Sequence, residues 1–141
     1  MNSARHVSVD HLNDGRFSIR MGTHELEVKQ HSLASPLEGG PGPTELFVAS
    51  LASCIAFYAR GFLKHYELAD RFRVSARWWL TSKPMRISRI IVEIDAPLLP
   101  EKLYDPLRSV VQQCTVHNTL THIPEISFEI SSGRPTTSPA K

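Results

Sequence analysis

The chain has 141 residues, 41% of them hydrophobic and 21% charged, with a formal net charge of +2. That length fits one domain with its own core, and the composition excludes wholesale disorder and collagen-like repeats. A charge this small, with Lys and Arg scattered along the chain, gives no basis for nucleic-acid binding. The two cysteines are too few for a disulfide-stapled secreted domain or a structural zinc site, though they suffice for a redox pair.

Residues 1–10 are polar and carry no apolar stretch, so no secretory signal is expected. Residues 7–12 and 16–21 read as strands on either side of the Asn13-Asp14-Gly15 turn. In the second run Phe17 and Ile19 alternate with Arg16, Ser18 and Arg20. Gly22-Thr23 turns the chain again into residues 24–29, where Leu26 and Val28 share a face. The pattern is an antiparallel meander with one wet side.

Residues 35–43 hold three prolines and three glycines, which marks a loop. Pro43 suits the first turn of a helix over residues 44–66. The longest apolar run within it, residues 46–59, is about 14 residues, short of the roughly 20 that a bilayer span requires. A soluble, cytoplasmic protein without a membrane partner is therefore expected. The helix is apolar almost all round over its first four turns, which predicts burial on every side. Ala49, Ser53, Ala56 and Arg60 recur at helical spacing and leave room for another element to approach.

After Asp70 the period changes to two. Phe72, Val74, Ala76, Trp78 and Leu80 alternate with polar or arginine neighbours, Ser82-Lys83-Pro84 turns the chain, and Ile90, Val92 and Ile94 return it. Trp78 and Trp79 read as packing on the two faces of this hairpin, since no basic stripe accompanies them. A second helix is predicted over residues 100–114, with Leu103, Leu107, Val110, Val111 and Cys114 inward. Asp105-Pro106 restarts it as cap and first helical position. Residues 115–124 read as a connector, Ile126, Phe128 and Ile130 as a final strand, and residues 131–141 as a disordered tail. The order βββ-α-ββ-α-β describes an α+β domain over residues 1–130.

Cys54 and Cys114 thus fall on two inward-facing helices, 60 residues apart. They can meet only through the fold. Either both are inert packing residues, or they form a reactive pair. Cys114, His117 and His122 lack any conventional ligand spacing, so no metal is expected, and no cofactor either. His117 reads as a polar neighbour that keeps Cys114 partly ionised or as a helix-end residue.

The stretch G-P-T-E-L-F-V-A-S-L-A-S-C, residues 42–54, resembles the first cysteine motif of the OsmC/Ohr family. C-T-V-H-N-T-L, residues 114–120, resembles the second, usually C-P-V-H-x-T-L. The gap and the intervening ββα order agree as well, and the resemblance covers residues 17–130. It implies an OsmC-like fold and an intertwined homodimer with the two long helices central. It also implies reduction of organic hydroperoxides, in which Cys54 is oxidised to a sulfenic acid and Cys114 condenses with it. A dithiol such as a lipoyl group then restores the pair.

The family further implies an arginine from the N-terminal strands and an acid near the start of the first long helix. Arg16 and Arg20 are the arginine candidates, with Arg20 preferred. The family acid lies ten residues before the cysteine, where this chain has Thr44. Glu45 is nine residues before, which on a continuous helix places it about 180° from Cys54 and ~13 Å along the axis. Glu45 either holds an arginine or complements the helix dipole in the first turn, and the second role is favoured. Small-ligand binding or redox sensing with little peroxidase activity is the alternative function.

Overall fold

The computed structural model describes residues 4–29 and 41–133. Three strands, β1 (Ser8–His11), β2 (Arg16–Met21) and β3 (His24–Lys29), form an antiparallel sheet in sequence order. The expected turns close it, with Asp14, Gly15 and Gly22 at positive φ. One face carries Asp10, Arg16, Ser18, Arg20, Glu25 and Glu27. The other carries Val9, Phe17, Ile19, Leu26 and Val28, as the register requires. Among the described residues this meander makes few contacts with the rest of the chain, and Val9 and Met21 remain exposed on its apolar side.

The long helix α1 spans Pro43–His65. Pro43 opens it, where a missing N–H costs nothing. The Glu45 carboxylate accepts from the Gly42 backbone N–H at 3.1 Å, and Lys64 and His65 occupy the last turn. Val48, Leu51, Ile55, Ala59 and Leu63 form its buried stripe. Burial on every side was expected, but the single chain covers one stripe only: Phe57 is 77% exposed and Phe47 42%. The helix matches the predicted span of residues 44–66 to within one residue. By length and composition alone its 23 residues, which include an 18-residue stretch of mean hydropathy 1.7, are enough to cross a membrane. Here its buried stripe packs on a hairpin and a short helix.

That hairpin is β4 (Arg73–Thr81) with β5 (Arg86–Asp95). Val74, Ala76 and Trp78 face α1 as the alternation predicts, and Trp79 lies outward beneath the Arg89 guanidinium at 5.2 Å. A bulge opposite Trp79 and Leu80 leaves Ser88 of β5 unpaired, and Leu80, near the hairpin end, is exposed and not inward as predicted.

The predicted second helix is divided. A 3₁₀ turn, Glu101–Leu103, leads into α2 (Tyr104–Val111), and a further helix, α3 (Thr115–Thr121), follows. Asp105 and Pro106 were expected at the cap and first position, but Leu103 is the cap and both residues fall inside the first turn. Proline is tolerated there because first-turn N–H groups have no intrahelical acceptor. The predicted final strand is also absent within this chain. Residues 123–130 are irregular backbone, with Ile126 71%, Phe128 88% and Ile130 96% exposed. Alternation supplies a strand's side-chain pattern, but a strand also needs an edge to pair with. Most of the predicted Pro/Gly loop and the tail beyond residue 133 lie outside the described residues.

Candidate active site: two thiols between three helices

Cys54 sits in the middle of α1, half-buried beside the stripe formed by Leu51 and Ile55. Cys114 is completely buried in the cluster that joins α1 to α2 through Leu51, Ile55, Ala59, Leu107 and Val111. The structure therefore brings together the two cysteines that sequence spacing left 60 residues apart. Both are free thiols.

The position of Cys114 differs from the prediction. It lies beyond the end of α2 and forms the N-cap of α3, in extended backbone conformation, with Sγ accepting from the His117 backbone N–H at 3.3 Å. The sequence hides α3 because Thr, Val, His and Asn are weak helix formers. Side-chain hydroxyl bonds run back along it, from Thr119 Oγ1 to the Thr115 carbonyl and from Thr121 Oγ1 to the His117 carbonyl. The cap gives the sulfur a fixed direction that a residue at a fraying helix end would lack.

Burial pushes the Cys114 thiol above its ordinary value of 9.0. The His117 and Val116 backbone N–H groups oppose this by stabilising a thiolate, while the hydrogen bond and charge interaction with Cys54 push it up further. Cys114 thus holds its proton more tightly than an ordinary thiol. Of the two readings of His117, an ionising neighbour or a helix-end residue, the ring does not fit the first: its Nδ1 bonds the Gln112 carbonyl at 2.9 Å. Only the backbone of His117 serves the sulfur, a contribution that no side-chain pattern could have signalled.

Arg20 bonds Asp10 at 2.6 Å, and Arg16 bonds Glu27 at 2.8 Å as well as Asn13. Both guanidinium groups thus meet acceptors within the meander itself. Glu45 bonds the backbone at the start of α1. Among the described residues no group of three or more His, Cys, Asp or Glu side chains is arranged to hold a metal ion.

The site is thus a free thiol pair carried by one long helix and a capped short one, on an α+β scaffold with a separate meander. The family model for OsmC-like proteins matches residues 36–129, and the chain belongs to that family. An OsmC-like protein from Mycoplasma pneumoniae superposes with a TM-score of 0.70 at 15% identity, covering 87% of this chain and 91% of that one. An organic hydroperoxide resistance protein OsmC from Legionella pneumophila gives 0.66 at 14%, covering 84% and 89%. The organic hydroperoxide resistance protein OhrB of Bacillus subtilis gives 0.63 at 14%, covering 83% and 90%. At these identities the likeness is one of fold. No curated protein matches the chain.

Proposed function

We propose that this protein is a thiol peroxidase that reduces organic hydroperoxides in the cytoplasm. The observation that carries the reading is the contact between a half-exposed Cys54 and a buried, protonated Cys114. The hydroperoxide resistance proteins from Legionella pneumophila and Bacillus subtilis share this fold, which supports a role in oxidative stress.

Cys54, as thiolate, attacks the distal peroxide oxygen. The O–O bond breaks, the alkoxide leaves with a proton as an alcohol, and Cys54 becomes a sulfenic acid. Cys114 then attacks the Cys54 sulfur. Its proton goes to the departing hydroxyl, so water leaves and a disulfide forms. A dithiol such as a lipoyl group attacks that disulfide, passes through a mixed disulfide, and closes on itself, returning both cysteines to thiols. The apolar cluster around the pair favours a peroxide with a carbon chain.

The working unit in this reading is a homodimer. Arg20, preferred over Arg16, reaches the thiolate of a second copy by exchanging its bond to Asp10. That exchange is cheap, because an exposed ion pair contributes only ~0–1 kcal/mol. Glu45 acts through α1, whose start it caps.

Purified protein should consume an alkyl hydroperoxide when supplied with a dithiol, and Cys54→Ser should abolish consumption. Full activity in that variant would overturn the assignment. A second reading, a redox sensor, is favoured by the engagement of both arginines with acids. It predicts stoichiometric oxidation of the pair without sustained turnover.

A further inference from the structure

The thiol pair uses one side of the cluster between α1 and α2, and the other side opens into a cavity of about 450 Å³. That volume lies within the roughly 300–1,000 Å³ of small-molecule pockets. Val92 and Ile94 of β5, Leu107 and Val111 of α2 and Ile55 of α1 form its apolar wall. Neither cysteine lines it, and the peroxidase reading gives it no role. Three of the wall residues, Ile55, Leu107 and Val111, belong to the core cluster that holds Cys114. The cavity therefore reaches the core.

Its mouth is polar. Tyr104, Arg108 and Val111 follow at i, i+4 and i+7 on one side of α2, so the phenol and the guanidinium stand above the apolar wall. Arg108 donates to Asp105 through Nη1. Among the described residues its Nε and Nη2 make no hydrogen bond, and the side chain is exposed. A guanidinium bonds several acceptors at once through its fixed fork of donors, so Arg108 can keep Asp105 and still take another anion. Asp95, which also lines the cavity, lies opposite Arg73 in the β4–β5 ladder, and among the described residues the two make no ion pair.

We infer that this cavity binds an alkyl carboxylate, with its chain between β5 and α2 and its carboxylate on Arg108 and the Tyr104 hydroxyl. An apolar wall ending in one cation with unused donors fits a molecule that is apolar along its length and anionic at one end. The site shares Ile55, Leu107 and Val111 with the cluster around the thiols but neither sulfur, so the peroxidase reading can fail without affecting it.

The test is calorimetric titration of the full chain with octanoate, 1-octanol and octylamine. Octanoate should bind one per chain and bind tightest of the three. Each methylene removed should weaken binding about fourfold, so hexanoate should fall by roughly fifteenfold. Arg108→Gln is exposed and should fold normally. It should weaken octanoate about tenfold and leave 1-octanol unchanged. Ala96→Trp, from the loop that lines the cavity, should fill it and abolish binding of all three. If that variant misfolds by circular dichroism, Val92→Phe serves the same purpose on β5. Cys54→Ser should bind octanoate like the parent chain.

Absence of octanoate binding at millimolar concentration overturns the proposal. Equal binding of octanoate and 1-octanol, unaltered by Arg108→Gln, overturns the carboxylate contact. Binding that survives a folded cavity-filling variant, or that is lost in Cys54→Ser, places the ligand elsewhere and overturns the site.

Discussion

Replacing Cys114 separates its two roles, as an N-cap and as a resolving thiol. In Cys114→Ala the His117 N–H loses the acceptor that Sγ provides at 3.3 Å, which costs ~1 kcal/mol. The completely buried position also becomes a small void worth ~1 kcal/mol. The sum, ~2 kcal/mol, corresponds to a fall in Tm of roughly 8 °C for a domain of this size. Serine retains an acceptor and is among the best N-caps, so Cys114→Ser should lose less than ~1 kcal/mol. Chemically the two variants are alike, since neither can close the disulfide. Intact-mass spectrometry after one equivalent of alkyl hydroperoxide reads this directly. The parent chain should lose about 2 Da as the disulfide forms, and Cys114→Ser should gain about 16 Da as the sulfenic acid accumulates. A parent chain that gains oxygen instead would refute the reasoning, as would a Cys114→Ser chain that also loses 2 Da. A stability ranking with serine below alanine would refute the capping argument.

The raised thiol of Cys114 has a further consequence for stability. The folded state holds that proton more tightly than the unfolded chain, so its contribution is complete below the ordinary value of 9.0 and is lost as pH rises past it. Denaturant midpoints measured from pH 7 to 11 should fall above about 9 in the parent, and less steeply in Cys114→Ser. Glu45→Ala removes the acceptor for the Gly42 N–H and should cost ~0.5–1 kcal/mol with less than a twofold change in peroxidase kcat/KM. A hundredfold loss there would make Glu45 a positioning residue for the cation. Arg20→Gln should lower kcat/KM by at least about tenfold and slow the reaction of Cys54 with hydroperoxide, whereas Arg16→Gln should do neither. The reverse order would transfer the role to Arg16.

The meander, the long helix and the hairpin were legible in the sequence because each rests on a local signal: turn residues at 13–15 and 22–23, Pro43 before an apolar run, and period-two alternation after Asp70. What escaped depended on contacts that the local pattern does not encode. Helix α3 is built from weak formers whose hydroxyls bond back to the backbone, so propensity pointed to a connector. The bulge that leaves Ser88 unpaired interrupts a ladder that the alternation presents as continuous. Within the candidate site, Cys54 and Cys114 were singled out by motif, and the cap on Cys114 was not. Its donor is a main-chain N–H, which every residue but proline carries.

The final segment was read correctly as a strand pattern and incorrectly as a strand within this chain, and that difference bears on the quaternary state. Ile126, Phe128 and Ile130 are more than two-thirds exposed. Burying each would contribute ~1.5–3 kcal/mol, about 5–9 kcal/mol together, while association costs an estimated ~4–15 kcal/mol. These three side chains alone come near balance. In the proposed homodimer, covering Phe47 and Phe57 on the open side of α1 and Val9 and Met21 on the meander, all exposed in the single chain, would move the balance toward association. Replacing both Ile126 and Phe128 by serine should remove ~3–6 kcal/mol from the interface and raise the dimer Kd by at least about a hundredfold. Sedimentation velocity across micromolar concentrations would register the shift. If Arg20 reaches Cys54 only across that interface, peroxidase activity should fall with the dimer fraction and recover as protein concentration rises. A parent chain that sediments as a monomer and still turns over at full rate would refute both the interface and the contribution of Arg20 across it.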